Sequence, residues 1–220
     1  MLKRLGFLNV TARAAFALAA FAAAGFAVSG GPARAEYRIT AEDRSDIARI
    51  EAYLNSVDSL KSEFVQLASG GGVAQGTIYI ERPNRLRLDY RKPATMQVYA
   101  NGNWLVHVDT ELEAVTHIPI GSTPAGFLVQ DRIRLSGDVT VDRVIRGDST
   151  ISVELVQTGD REAGRFVLTF SDAPLQLRQW TVTDAQGVTT NVQLVAPAVN
   201  VAIPRDVFVF DETRYEREMP

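Results

Sequence analysis

The sequence has no cysteine and only two histidines in 220 residues. Without thiols the fold must stand without disulfides, and the chain cannot carry a thioether-linked lipid of its own. The histidines, His107 and His117, fall on neighbouring predicted strands that a hairpin could bring together. Two imidazoles with no thiol or carboxylate at ligand spacing make a poor metal site, so both read as ordinary strand residues. There is no G-x-S-x-G elbow, no phosphate loop and no dinucleotide fingerprint. Gly70-Gly71-Gly72 is followed by no helix that could present amides to a phosphate, and it reads as a hairpin tip. Asp and Glu are scattered over strand faces without a marked pair. These absences point away from an enzyme, and no cofactor or metal is expected.

Long apolar runs are also scarce. Met1 to Arg13 is basic, Ala14 to Val28 is apolar, and Ser29-Gly30-Gly31-Pro32 breaks the run before Ala33-Arg34-Ala35. A basic start, a short apolar middle and an A-x-A end predict a secretory signal peptide over 1–35, cleaved after Ala35. The apolar stretch is short for a membrane span, which needs about 20 residues. Cleavage would leave 36–220 as one domain, long enough to bury a core. Lys3, Arg4, Arg13 and Arg34 would leave with the leader, which lowers the basic count from 23 to 19 against 26 acids. The resulting formal charge of −7 argues against nucleic acid as a partner.

What is abundant is alternation. Thr40 and Asp43 open an amphipathic helix whose stripe is Ile47, Ile50, Leu54 and Val57. From Ser62 the period becomes two: Leu86, Leu88 and Tyr90 alternate with Arg85, Arg87 and Asp89. Asn101-Gly102 between Met96–Ala100 and Trp104–Val108 is a strong hairpin signal. Further turns fall at Gly147-Asp148, Ser171-Asp172-Ala173-Pro174 and Asp184-Ala185-Gln186-Gly187. The prediction is a mainly β (α+β) fold: an antiparallel meander of about eleven strands closing toward a barrel or sandwich. Pro119 to Ile133 breaks the rhythm. Ser122 or Thr123 could cap a short helix there, with Pro124 in its first turn. Such a helix would cover an open end or face of the sheet. In Arg82-Pro83-Asn84 the proline belongs to a turn between two strands, with Arg82 held extended before it.

Taken together and in order, several segments resemble the LolA family of periplasmic outer-membrane lipoprotein carriers. They are Ser62-Glu63-Phe64-Val65-Gln66, Gly76 to Leu88 with its R-P-N turn, Asn101-Gly102-Asn103-Trp104-Leu105, and Ser122-Thr123-Pro124 leading to Phe127-Leu128. The resemblance covers nearly all of the chain after the leader. It implies an unclosed β-barrel with helices lying as a lid over an apolar face. Arg82 falls at the lid-latching arginine, whose guanidinium would bond backbone carbonyls of the lid helices. The implied acyl-chain cavity takes Ile78, Ile80, Leu86, Leu88, Tyr90, Val98 and Trp104 from the sheet. Phe127 and Leu128 join it from the lid. The implied partners are acylated lipoproteins as cargo, an inner-membrane lipoprotein-releasing ABC transporter, and an outer-membrane acceptor such as LolB. The implied protein is a periplasmic monomer. The lid segment here is more glycine-bearing than is usual, the strand after R-P-N carries Leu where aromatics are common, and the tail after Asp211 is short and charged. A lipid-binding or lipoprotein-sensing module with the same half-barrel and a different cargo is the alternative.

Overall fold

A computed structural model describes residues 37–211; the expected leader over 1–35 lies outside them. The described chain opens with helix α1 (Ala41–Ser56). Thr40 caps it: the hydroxyl accepts from Asp43 N–H, and the Asp43 carboxylate accepts in turn from Thr40 N–H, which satisfies two otherwise orphaned donors. Ile50 and Leu54 are fully buried, and Asn200 closes the other end by donating to Ser56 O and accepting from Asp58 N–H.

Strands β1 (Ser59–Ala68), β2 (Val73–Glu81), β3 (Arg85–Tyr90), β4 (Met96–Asn101), β5 (Trp104–Asp109) and β6 (Ala114–Pro119) follow as a meander. A crossing segment comes next: a 3-10 turn (Ile120–Ser122), helix α2 (Pro124–Leu128) and an irregular stretch up to β7. Then β7 (Val139–Arg146), β8 (Thr150–Gln157), β9 (Gly164–Asp172), β10 (Leu175–Asp184) and β11 (Thr189–Val199) form a second meander. The eleven strands make one antiparallel sheet in the order β6-β5-β4-β3-β2-β1-β11-β10-β9-β8-β7. Its edges, β6 and β7, do not pair with each other, so the barrel is open as expected. The first and last strands meet in the middle, each meander runs outward to one edge, and the crossing segment joins the two edges.

Register fixes the faces. Ser62, Ile78, Leu88 and Val98 follow one another across β1 to β4 on the face that α1 covers, as do Leu60, Ile80, Leu86 and Ala100, and Phe64 stands opposite Gly76 in the next row. On the other half, Val192, Trp180, Leu168 and Val153 continue the same layer. A bulge on β11, where Ala196 and Pro197 oppose Ser62, and bulges at Arg178 and Asp142 interrupt the ladders. Each adds local bend and twist to a sheet that has to curl. Gly76 serves packing: a Cβ there would stand 2.1 Å from Asp89 O and 2.8 Å from the Phe64 ring. Its absence lets Phe64 and Tyr90 meet edge to face at 5.2 Å. The opposite face of β3 and β4 is covered by a second 3-10 turn (Arg205–Phe208), which buries Phe208 completely. Arg87 donates to Val207 O there and lies 4.9 Å over the Tyr99 ring.

Candidate functional site

The site is the inner face and what roofs it. Ile78, Ile80, Leu86 and Val98 are buried on that face, with Leu88 and Tyr90 partly covered at its margin. Tyr90 donates to the Gln66 side chain at 2.8 Å, and burial pushes its hydroxyl up to about 12. From the roof, Phe127 packs edge to face on Phe166 at 5.6 Å, and Leu128, Val129, Ile133 and Leu135 are buried beside it. A cavity of about 20 Å³ lies under α1, bordered by Leu54, Arg82, Leu128 and Leu177. That is room for a single water. The lid fills its own site.

Trp104 requires a correction. It is 52% exposed and shares the parity of Val106 and Val108, which pair with Tyr99 and Gln97 on the outer face. Leu105, opposite Ala100, takes the inner position instead. The pairing of the histidines fails for the same reason: His107 stands opposite Thr116 and His117 opposite Val106, so they face opposite sides of the sheet. His107 lies 3.3 Å from Met96 Sδ.

Around Arg82 the backbone is unusual. The Arg82–Pro83 peptide is cis, and Asn84 has φ of 58°, a left-handed conformation that asparagine tolerates better than most residues. Arg82 Nη2 donates to Leu54 O in the last turn of α1 at 2.5 Å. Asn84 N–H donates to Val129 O, just past α2, at 2.7 Å. The R-P-N turn therefore holds both lid helices, but by different groups: the guanidinium reaches α1, and the backbone two residues later reaches the end of α2. Arg82 Nε is buried without a partner. Burial draws the guanidinium below its ordinary pKa, opposed by the nearby Asp58 and by Tyr53.

Other ties were not signalled in the sequence. Asn55 donates to Ile133 O and accepts from Ile133 N–H, while Glu51 accepts from Leu135 N–H, so α1 is stitched to the crossing segment. Tyr53 OH accepts from Leu177 N–H and its ring packs on Phe170. At the far end of α1, Arg146 on β7 bonds Asp43 at 2.9 Å and Asp46 at 2.5 Å, and Tyr37 OH also donates to Asp43. Although burial alone would raise Asp43, hydrogen bonds from Thr40, Arg146 and Tyr37 hold its carboxyl at about 2. Asp43 was legible only as a cap. Its partner lies 103 residues away, beyond any local pattern. Asn55 and Glu51 read as a polar helix side because the backbone they grip has no sequence signature.

An open, curled antiparallel sheet with an apolar inner face, roofed by helices held through side-chain hydrogen bonds, defines the half-barrel class of fold. The chain belongs to the family described as outer membrane lipoprotein carrier protein LolA, whose family model matches residues 55–211. It is 29% identical over 130 residues to an outer-membrane lipoprotein carrier protein of Methylococcus capsulatus, covering 55% of this chain and 62% of that one. A Methylobacillus flagellatus protein of the same description is 28% identical over 176 residues, covering 74% of this chain and 83% of its own length. A crystal structure of a LolA superfamily protein from Nitrosomonas europaea aligns with 9% identity and a TM-score of 0.44, over 74% of this chain and 97% of that one.

Proposed function

We propose that this chain is a periplasmic carrier that takes up the acyl chains of lipoproteins released from the inner membrane and delivers them to the outer membrane. The observation that carries the proposal is the filled inner face: an apolar surface roofed by helices that the Arg82 turn latches. Each methylene withdrawn from water is worth about 0.8 kcal/mol, so an acylated protein cannot cross an aqueous space uncovered. The latch bond, made by a charged donor, contributes about 1.5–3 kcal/mol net, which about four methylenes outweigh. Cargo therefore displaces the lid readily, and the lid residues, buried again on closing, help to return the cargo. No step in this scheme uses a covalent intermediate, and the residues that act do so by binding.

On this reading the chain is exported by the leader over 1–35. It receives cargo from an inner-membrane ABC transporter that supplies the energy, and gives it up to an acceptor of higher affinity, in the manner of LolB. The test is a transfer assay: incubate the exported chain with inner-membrane vesicles bearing a triacylated lipoprotein, and look for a soluble complex by gel filtration. A one-to-one complex that passes its cargo to outer membranes is the expected result. Failure to form any complex with lipoprotein would overturn it.

A further inference from the structure

Beyond α2 the crossing segment forms neither helix nor strand before β7, and burial alternates along it from Arg132 to Leu135. Ile133 and Leu135 are buried, with their N–H groups gripped by Asn55 and Glu51 of α1. Arg132 and Arg134 occupy the alternate positions and are exposed. Both line a cleft of about 360 Å³ between the end of α2 and the start of β7. That is the size of a small-ligand site. Among the described residues neither arginine has an ion-pair partner, whereas Arg146, Arg161 and Arg165 all do. Asp138 also lines the cleft, so two positive charges face one negative. This is a cationic spot on a chain of formal charge −3. The cleft walls also include Phe127 and Val139. Phe127 packs in turn on Phe166 of the inner face, so the cleft opens directly beside the apolar interior.

We infer that this cleft is a headgroup site for a phosphate-bearing diacyl lipid whose chains enter under the lid. The inference rests on the acyl-binding reading above and goes beyond its lipoprotein cargo, whose thioether-linked diacylglycerol has no phosphate, to a second amphiphile for the same inner face. Two guanidinium groups two residues apart, both lining one cleft on a segment anchored to α1, can hold a phosphate by charge-assisted, forked hydrogen bonds. Phe127 and Val139 on an otherwise polar wall, with Phe127 reaching Phe166 of the inner face, favour an amphiphile over a free anion.

The test is calorimetric titration of the exported chain with three probes: short-chain phosphatidylglycerol below its micelle concentration, diacylglycerol of the same chain length, and inorganic phosphate. The phospholipid is expected to bind about tenfold more tightly than the diacylglycerol, with the preference shrinking at high salt. The double variant Arg132→Ala/Arg134→Ala is expected to lose that preference and keep its diacylglycerol affinity. Equal binding of the two lipids by the unaltered chain, or a preference that survives the double variant, would overturn the headgroup site alone. Inorganic phosphate binding as tightly as the phospholipid would make the cleft a plain anion site and overturn the lipid assignment. Binding of neither lipid would overturn the acyl-binding reading along with it.

Discussion

The Arg82 guanidinium sits where burial disfavours its charge, with one of its nitrogens unpartnered. What it gives is a hydrogen bond to the otherwise open carbonyl of Leu54 at the end of α1. Hydrogen bonds to charged groups contribute about 1.5–3 kcal/mol, roughly a ten- to hundredfold bias toward the closed lid. Arg82→Leu removes that bias, so the variant is expected to load cargo but release it at least about tenfold more slowly. Normal transfer to an acceptor membrane would take Arg82 out of the cycle. The inner face divides into two kinds of residue. Leu86 is 1% exposed and belongs to the core, whereas Leu88 is only partly covered. Leu88→Glu is expected to weaken acyl binding about tenfold while leaving a cooperative melt, because its carboxylate can turn toward the margin. Leu86→Glu buries an unpaired charge and is expected to unfold the domain. Identical melting curves for the two variants would contradict this division. At this scale the sequence was informative where one face carries charge. Leu86, Leu88 and Tyr90 alternate with charged residues, and their face could be read directly. Trp104-Leu105-Val106-His107-Val108 is apolar at nearly every position, and Leu105 on the inner face and Val108 on the outer one are both buried. Parity there was not legible.

Among the elements, α1 is fastened unequally at its two ends. The N-terminal end carries the ion pairs of Arg146 with Asp43 and Asp46, and the C-terminal end hangs on the Arg82 bond and Asn200. Asp43 is held at about 2 against an ordinary 3.8. A depressed carboxyl contributes stability that is fully present above its unfolded pKa and is lost as pH falls through its folded one. Acidification from about pH 4 to 2 is thus expected to free this end, seen as a melting temperature that drops over that window. Asp43→Asn should flatten the drop; an unchanged profile would mean that other carboxylates cause it. Helix α2 was expected to be loosened by its glycine, and the geometry says otherwise. A Cβ on Gly126 would stand 2.1 Å from Ile120 O, so the glycine permits close docking of α2 on the preceding turn. Gly126→Ala is expected to push α2 outward and raise hydrogen exchange at Val129 and Ile133, leaving β1 and β11 protected. Protection unchanged at Val129 would show that the turn can absorb the methyl. A cap at Ser122 or Thr123 with Pro124 in the first turn was legible in the sequence, since capping is local chemistry, and the structure puts the cap at Thr123. The stitches from Asn55 and Glu51 were not, since they depend on where a distant backbone passes.

The whole molecule is two meanders joined twice: along the β1–β11 ladder in the middle, and across the open edges by the segment between β6 and β7. The strand count was legible because hairpin turns punctuate the chain so regularly, whereas the missing closure was implied only by the resemblance to the LolA family. The meeting of first and last strands was not, as no local signal pairs residues more than a hundred positions apart. The arrangement behaves as a two-leaved book with a spine and a ribbon tied across the fore-edge. Opening the book far enough for cargo is limited by the ribbon's length, and part of that length is wound up in α2. Five residues at a helical rise of about 1.5 Å, drawn out to about 3.3 Å each, would release roughly 9 Å. Spin labels at Thr116 on β6 and Thr140 on β7 would register that parting when cargo loads, and a fixed distance would mean that the leaves stay shut. The lid helix is then also a length of slack, and shortening or stiffening it would set the largest cargo the protein can admit.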